Sequence, residues 1–224
     1  MDILVYKPAA HKVILATCVK ALRQGKTVVY PTDTSYGIAC DITNLKARAK
    51  FYKIKARTLK QPIHVVMPSL AYAKNVSRWN KAAAVLAKSF WPGPLSLILP
   101  LKQAASRLPE YLKIISAGTG TVGLRRPNNR IALDLARLFG KPIPATSANP
   151  SGRRSKGYDS YSSEDVIRQF SRQKHKPDII IDVGKLPKRK SSTLVKIDGN
   201  KWEIIRSGPI TKKQIQAKLN DAQI

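Results

Sequence analysis

The feature that most constrains the fold of this chain is the alternation of strand-like and helix-like segments along most of its 224 residues. Residues 12–24 carry apolar side chains at four-residue spacing and are followed by Gly25, which is typical of an amphipathic helix with a glycine stop. A strand-like run at 27–30 comes next. Regular alternation of this kind excludes an all-β fold and a helical bundle, and it predicts an α/β fold with a twisted, mostly mixed or antiparallel open sheet flanked by helices.

The segment boundaries follow from periodicity and capping residues. Helices are predicted over 12–24, from Thr43 to about Tyr52, over 81–90, from Asn129 to Gly140 and over 162–170. Strands are predicted over 27–30, 62–67, 95–101 and 121–125, and in the later segments DIIIDVG, STLVKI and KWEIIRSG. We expect residues 1–224 to form one domain whose core covers about residues 10–210.

The charge of the chain points to a polyanionic partner. Lys and Arg number 41 against 13 Asp and Glu, a net charge of +28. Such a field attracts nucleic acid, although the same excess also serves solubility. Basic clusters at 153–156, 168–176 and 185–190 lie in the C-terminal half together with Tyr158 and Tyr161. We expect tRNA or another structured RNA to bind there with weak sequence preference.

Two classes of protein are excluded by composition. Cys18 and Cys40 are too few for a disulfide framework and lack zinc-ligand spacing, so both are expected in the core. The N-terminal MDILVYKPAA lacks the basic region and apolar run of a signal peptide, and no apolar stretch reaches the ~18 residues that span a bilayer. The sequence predicts a cytoplasmic protein without a membrane partner.

The stretch PTDTSYG, residues 31–37, places a run of polar side chains at the end of a buried strand. Thr, Asp and Ser bond readily to nearby backbone, so the run can be a capped turn before Gly37. Binding residues also often lie on loops that leave the ends of strands in α/β proteins, so it can equally be the floor of a ligand site. Both readings remain open at this point.

The glycine pattern GTGTVG, residues 118–123, matches the dinucleotide fingerprint in its letters only. That fingerprint needs a helix from its second glycine and an acidic residue about 20 positions later. Here the following residues are strand-like, Pro127 stops a helix, and no Asp or Glu lies between Asp134 and Asp159. A Rossmann nucleotide site is therefore excluded.

Two short pairs are better candidates for ligand contacts. Lys55 and Arg57 can bind the same polyphosphate only if the helix has ended before Arg57. Residues two positions apart lie on the same face of an extended chain but on different faces of a helix. The alternative is a pair of solvated charges that complement the helix dipole. Ser147 and Asn149 are also two residues apart. They either contact one ligand together or form an Asx turn. Arg125 lies at the end of a predicted strand, and its guanidinium group can donate two parallel hydrogen bonds to a carboxylate.

Together these motifs carry a resemblance that none carries alone. PTDTSYG, KAR, TVGLR, TSANPSG, SSTLV and RSG follow one another in the order and spacing of the YrdC-like threonylcarbamoyl-adenylate synthases, from about Val13 to Gly208. The resemblance implies a short form without a separate C-terminal domain. It implies formation of L-threonylcarbamoyl-AMP and pyrophosphate from L-threonine, bicarbonate and ATP. The product would pass to a downstream transferase complex that makes threonylcarbamoyladenosine in tRNA.

The resemblance also implies the site residues. Those expected at ATP are Lys55, Arg57, Gln61, Thr121, Ser147, Asn149 and Arg206. Those expected at threonine are Thr34, Arg125 and Ser192, with Arg125 holding the carboxylate. Magnesium is expected to arrive with ATP, because no carboxylate cluster marks a protein-held metal site. Lys55 and Arg57 would stabilise charge on the phosphates, and no residue is assigned as a general base.

The sequence departs from the family pattern at two positions. Thr58 replaces the usual proline after K-x-R, and Val66 stands where many members have a histidine that contacts threonine. His64 lies two residues earlier and would share that face on a strand, so it either substitutes or is an ordinary half-buried histidine. Two alternative functions remain: an RNA-binding module with this fold but without turnover, and a carbamoyl-adenylate activity that uses carbamoyl phosphate.

Overall fold

The computed structural model describes residues 1–58, 60–102, 109–151, 159–199 and 201–224. Within these ranges the helices are α1 His11–Arg23, α2 Leu45–Lys55, α3 Leu70–Val76, α4 Lys81–Phe90, α5 Glu110–Ser116, α6 Arg130–Phe139, α7 Ser163–Phe170 and α8 Lys212–Asp221. The strands are β1 Asp2–Val5, β2 Val28–Pro31, β3 Tyr36–Ala39, β4 Val65–Val66, β5 Leu95–Pro100, β6 Thr121–Arg125, β7 Ile143–Pro144, β8 Thr146–Ser147, β9 Ile179–Asp182, β10 Thr193–Asp198 and β11 Lys201–Arg206.

The strands form two mixed sheets. The first has the order β1-β9-β2-β3-β8 and the second the order β11-β10-β5-β6-β4-β7. Parallel pairs such as β2 with β9 occur beside antiparallel pairs such as β5 with β6. This confirms the predicted mixed, open α/β architecture, with the strands divided between two sheets. The chain passes from the second sheet to the first at Ala145, whose backbone N–H donates to the His64 carbonyl at 2.7 Å.

Each sheet helps to enclose apolar side chains. One cluster takes in β5, β6 and β10 together with α4 and α8, where Ile215 and Leu219 are fully buried. The other joins α1 and α6 to β2 and β9. Cys18 and Cys40 are both fully buried, as predicted, and burial raises the pKa of the Cys18 thiol to about 12. Among the described residues, no helix combines the length and apolarity needed to cross a bilayer.

Most predicted elements are confirmed, because their periodicity and caps are local. The helix over 81–90 and the strand over 121–125 have the predicted bounds. Thr43 was predicted to cap α2, and this was wrong. The Asn44 side chain caps the helix by accepting from the Ala47 N–H at 3.0 Å, while the Thr43 hydroxyl donates to Asp41. The strand predicted over 62–67 shortens to β4, since among the described residues the strand pairing with β6 and β7 extends over Val65 and Val66.

The glycine pattern GTGTVG, residues 118–123, forms a turn that leads into a strand. Ala117 ends α5 in a left-handed conformation, and Gly118 and Gly120 have φ of +76° and +69°. The chain then enters β6 at Thr121. Since no helix begins at these glycines, the exclusion of a Rossmann site is confirmed.

Candidate functional site

Ten of the eleven residues proposed from sequence line a single cavity of about 530 Å³. They are Thr34, Lys55, Arg57, Gln61, His64, Arg125, Ser147, Asn149, Ser192 and Arg206. The lining comes from both sheets, because β8 belongs to the first sheet and the ends of β6 and β11 belong to the second. Residues separated by more than 170 positions in the sequence are thus brought to one site.

Thr121 stands apart from these ten residues and does not line the cavity. It begins β6, four positions from Arg125 at the other end of the same strand, or about 13 Å away. Its hydroxyl bonds to that of Thr119 at 2.9 Å. The assignment of Thr121 to the nucleotide stays a prediction that this position does not support.

The PTDTSYG stretch is the turn of a hairpin between β2 and β3. The Thr32 hydroxyl donates to the Ser35 carbonyl at 2.7 Å and accepts from the Thr34 and Ser35 N–H groups at 3.1 and 3.2 Å. Thr34 and Ser35 instead line the cavity. Both interpretations of the PTDTSYG stretch are therefore correct for different residues: Thr32 closes the turn, and Thr34 and Ser35 face the cavity.

Tyr36 fixes the back of this hairpin. Burial raises the pKa of its hydroxyl above the ordinary value, so the group remains protonated and donates to the Gly184 carbonyl at 2.8 Å. The same oxygen accepts from the Val183 N–H at 3.0 Å. The hairpin is thereby tied to the segment that follows β9.

Arg125 is held by the hairpin turn through a buried ion pair. Its Nη2 donates to Asp33 Oδ1 at 2.6 Å and to the Thr34 hydroxyl at 2.9 Å. The side chains are only 8% exposed for Arg125 and 3% for Asp33. Arg125 Nε and Asp33 Oδ2 are buried and have no hydrogen-bond partner in the protein. Buried polar atoms are rarely left unpaired, so the arrangement has hydrogen-bonding capacity left for a ligand group.

Lys55 joins the K-x-R motif to the TSAN segment. Helix α2 ends at Lys55, and Ala56 follows in a left-handed conformation. Lys55 is almost fully buried, and its Nζ donates to the carbonyl oxygens of Ser147, at 2.5 Å, and Asn149. The solvated-charge reading is therefore wrong for Lys55. Because the helix has ended, Lys55 and Arg57 reach the same cavity.

Arg57 is braced from the loop after α2. Its Nε donates to the Gln61 side chain at 2.9 Å, and its Nη2 donates to the Pro62 carbonyl at 2.8 Å. Gln61 thus orients Arg57 and also lines the cavity itself. A guanidinium group that is already held by hydrogen bonds loses less conformational entropy when it binds an oxyanion than a freely rotating one does.

The TSAN segment pairs with the hairpin. Ser147 lies opposite Gly37 in the antiparallel pair of β8 with β3. The Ser147 hydroxyl donates to the Asn149 side-chain oxygen at 2.5 Å, and Asn149 is almost fully buried. The neighbouring Thr146 also lines the cavity, and its hydroxyl is buried without a hydrogen-bond partner in the protein. This edge of the cavity therefore presents hydroxyl and amide groups.

The SSTLV and RSG motifs form one structural unit. Arg206 Nη2 donates to the Ser192 carbonyl at 2.9 Å and to its hydroxyl at 3.1 Å. A Cβ on Gly208 would lie 2.3 Å from the Ser191 carbonyl oxygen and 2.4 Å from the Thr193 nitrogen. Only glycine fits this close approach of two backbones. Gly208 thus lets Arg206 and Ser192 reach the cavity together.

His64 lines the cavity, whereas Val66 does not. Val66 is fully buried in the apolar cluster beside α1 and α6. The imidazole lies against Gly123, where an added Cβ would be 2.1 Å from His64 Cδ2. The histidine therefore occupies space that the glycine of TVGLR leaves open.

The cavity is strongly cationic. Lys55, Arg57, Arg125 and Arg206 line it, and none of the lining residues in the described part of the chain is acidic. Asp33 compensates Arg125 from behind the wall. Among the described residues, no group of three His, Cys, Asp or Glu side chains is placed to hold a metal ion. The arrangement suits a ligand that carries several anionic groups.

Comparison with known proteins decides the family. The family model Sua5_yciO_yrdC, described as "Telomere recombination", matches residues 20–208. The chain belongs to the Sua5/YciO/YrdC family. Two Sua5/YciO/YrdC relatives are the threonylcarbamoyl-AMP synthase of Pyrococcus abyssi, 31% identical over 206 residues, and that of Bacillus subtilis, 31% identical over 212 residues.

The coverage of these Sua5/YciO/YrdC proteins is unequal. The matches span 91% and 94% of this chain but 56% and 58% of the two relatives, so the chain corresponds to little more than half of each. A structure of P. abyssi Sua5 complexed with L-threonine has a TM-score of 0.82 at 28% identity, covering 97% of this chain and 60% of that one. The shared fold thus includes a protein that binds L-threonine.

Several residues of this Sua5/YciO/YrdC site were not assigned from sequence. Ser35 and Thr146 line the cavity and Asp33 pairs with Arg125 behind its wall. All three belong to recognised motifs, but the sequence did not show which members of each motif have these roles. Ser191 precedes the predicted Ser192 and also lines the cavity. The signal for Asp33 was its place beside Thr34, although its partner Arg125 is 92 positions away.

Proposed function

We propose that this chain is an L-threonylcarbamoyladenylate synthase that forms threonylcarbamoyl-AMP and pyrophosphate from L-threonine, bicarbonate and ATP. The observation that carries the proposal is the convergence of KAR, TSAN, SST and RSG on a cationic cavity with Thr34 and Arg125 at its wall. The relatives named threonylcarbamoyl-AMP synthase support it. The product would be passed to a cytoplasmic transferase complex that modifies tRNA.

The substrates divide the cavity between them. Arg125 would hold the threonine carboxylate, since Nε has no partner in the protein and its Nη2 is oriented by Asp33 and Thr34. His64 and Ser192 would contact the same amino acid. Lys55, Arg57 and Arg206 would hold the phosphates, and Gln61, Ser147 and Asn149 would hold the rest of the nucleotide.

The reaction needs two bond-forming steps. The neutral threonine amine attacks bicarbonate carbon, giving N-carboxy-threonine with loss of water. The new carboxylate oxygen then attacks the α-phosphorus of ATP, and the bond from that phosphorus to the bridging oxygen breaks to release pyrophosphate. Charge grows on phosphate oxygens in the second step, so fixed cations such as Lys55 and Arg57 stabilise its transition state.

Mg²⁺ would reach this cavity on the phosphates of ATP. The lining residues offer hydroxyls, amides and cations but no carboxylate, and Mg²⁺ prefers oxygen ligands of the carboxylate, phosphate and water types. When bound, the ion would neutralise part of the phosphate charge. The protein's own contribution is to orient the phosphates.

The proposal is tested by pyrophosphate release with each substrate omitted in turn. We expect release to require L-threonine, bicarbonate and ATP together. Equal release without threonine would refute the synthase assignment. Release supported by carbamoyl phosphate in place of threonine and bicarbonate would assign the carbamoyl-adenylate activity instead. RNA binding without any pyrophosphate release would assign the non-catalytic module.

The synthase is also proposed to bind structured RNA beside the cavity. The segment between β9 and β10 is irregular, and its exposed residues Lys188–Lys190 lead directly into Ser191 and Ser192 of the cavity wall. The Tyr161 hydroxyl donates to the Arg189 carbonyl at 3.2 Å. The predicted cluster at 153–156 and Tyr158 lie outside the described residues. Phosphate contacts here would give salt-sensitive binding with little sequence preference.

Alanine at Lys188, Arg189 and Lys190 tests this interface. We expect the slope of log affinity against log salt for duplex RNA to fall by up to about 2.7, or about 0.9 for each lost phosphate contact. Adenylate synthesis from free substrates should be unchanged. The matched control replaces Lys46, Lys53 and Lys88, which are exposed on helices, and thereby removes the same charge. Equal slopes for the two triple variants would refute the interface.

A further inference from the structure

A second cavity, of about 690 Å³, lies between α1 and α6 and shares no lining residue with the cationic cavity. We call it the α1/α6 groove. On α1, its wall follows one helix face through Lys12, Ala16 and Lys20, at four-residue spacing. On α6, the wall includes Arg130 and Leu138. The small side chain of Ala16 leaves room between the helices, and α1 has 13 residues, a length of about 20 Å.

The floor of the α1/α6 groove is apolar. Ala16 and Val19 contribute from α1, and Leu138 contributes from α6 with 44% of its surface exposed. Leu138 thus leaves the core-facing side of α6, where Leu135 and Phe139 are buried, and stands at the groove. A partly exposed leucine in a concave site is suited to contact an apolar side chain of a partner.

The rim of the groove is cationic. The basic residues that line it are Lys12, Lys20, Arg23, Arg130 and Arg137. The acidic residue at the groove is Asp134, and it is already paired within the protein. Its carboxylate contacts His11 Nε2 at 2.9 Å and Arg137 Nη2 at 3.1 Å, and these hydrogen bonds outweigh the effect of burial and hold its pKa below the ordinary value. The rim therefore keeps a clear excess of positive charge.

We propose that the α1/α6 groove binds an acidic amphipathic helix of another protein. Leucine-like side chains of that helix would contact Leu138 and Val19, and Glu or Asp on its flanks would face the lysines and arginines of the rim. Helix-in-groove recognition uses apolar anchors at helical spacing in this way, and complementary charge sets orientation and association rate.

Two other occupants fit the groove less well. Nucleic acid would satisfy the rim, but its phosphates would leave Leu138 and the apolar floor without a partner. A second copy of this chain would not supply an acidic helix to face the cationic rim. The described helices are basic or weakly charged, and even α7, which has the most acidic residues of them, has only Glu164 and Asp165. The partner is therefore a different, acidic protein. This inference does not depend on the proposed enzymatic function.

The test uses a fluorescein-labelled synthetic peptide of about 14 residues, matched to the length of α1, with leucines on one helical face and glutamates elsewhere. Fluorescence anisotropy at moderate salt measures its affinity for the intact chain. We expect Leu138→Glu to weaken binding at least about ten-fold, as for loss of a central apolar contact. A peptide with serine at the leucine positions should bind at least about ten-fold more weakly to the wild type.

Leu45→Glu is the matched control, because Leu45 is an exposed helical leucine, 65% accessible, outside the groove. It makes the same change of charge and should leave peptide affinity unaltered. Equal affinity of Leu138→Glu and the wild type, or equal binding of the serine peptide, would overturn the proposal. Loss of duplex RNA binding in Leu138→Glu with peptide binding retained would assign the groove to RNA instead. Loss of self-association in that variant, by sedimentation, would assign it to a second copy.

Discussion

Replacement of Asp33 by Asn tests the buried ion pair at the wall of the cationic cavity. The pair is 2.6 Å long, and both side chains are less than one-tenth exposed. Removing one partner of a buried pair leaves an uncompensated charge and costs about 3 to 5 kcal/mol. Asparagine keeps an oxygen that accepts from Arg125 Nη2, so we expect the lower end, about 3 kcal/mol. In a chain of 224 residues this corresponds to a fall in Tm of about 6 to 12 °C.

The assay is thermal unfolding followed by circular dichroism, with and without L-threonine. The threonine carboxylate would return a negative charge to Arg125, so saturating threonine should raise the Tm of Asp33→Asn more than that of the wild type. The difference between the two shifts reports whether the carboxylate binds next to Asp33. It does not require turnover.

Asp198→Asn is the control, because Asp198 is exposed at the end of β10. Such a surface change is expected to stay within about 0.5 kcal/mol of the wild type. A Tm for Asp33→Asn within about 2 °C of the wild type would show that the buried pair adds little, against the reasoning from its burial. Equal threonine shifts in the variant and the wild type would show that Arg125 does not hold the carboxylate.

The remaining predictions concern activity and pH. If Arg57 contacts the ATP phosphates as proposed, Arg57→Ala should lower kcat/KM by a factor that corresponds to about 2 to 4 kcal/mol of activation free energy, without unfolding the protein. Near-normal turnover of the folded variant would contradict this. His64→Ala should weaken threonine binding in calorimetry less than Arg125→Ala does, and the reverse order would show that His64 replaces the family histidine. Asp178 is partly buried, which opposes its ionisation, but hydrogen bonds from Lys50 and Thr27 outweigh this and lower its pKa. Ionised Asp178 therefore stabilises the fold above the unfolded-state pKa of about 3.9, and this stabilisation is lost as pH falls through the lower folded-state pKa. Urea unfolding should show a deficit for Asp178→Asn at pH about 7 that shrinks as the pH falls below about 3.9.

The fold class followed from the sequence because helix and strand signals are local. The four-residue spacing before Gly25 predicted α1, and Asn129 with Gly140 predicted both ends of α6. The elements missed were those with weak or short patterns. For example, β1 is an edge strand whose place depends on pairing with β9, and α8 acquires its role by burying Ile215 and Leu219.

The candidate site was predictable as a set of motifs but not as an arrangement. The motifs and the family resemblance together identified ten residues that line one cavity, and the geometry of the helix end at Lys55 met the condition set for a shared ligand. Periodicity could not show that Lys55 is buried, because the carbonyls that bind it belong to Ser147 and Asn149. It also could not separate Thr32, which closes a turn, from Thr34, which faces the cavity.

The sequence by itself therefore determined the α/β class, the chemistry of the motifs and the family resemblance. The first two depend on residues that are neighbours in the chain, and the third depends on the order and spacing of the motifs along it. Only the tertiary structure decided that Asp33 pairs with Arg125, that the backbone of the SST segment packs directly against Gly208 and that Thr121 lies outside the cavity. Those outcomes depend on strand pairing and on the direction of each side chain. A shift of one residue along a strand moves a side chain to the opposite face, so proximity in space follows from register and cannot be read from spacing alone.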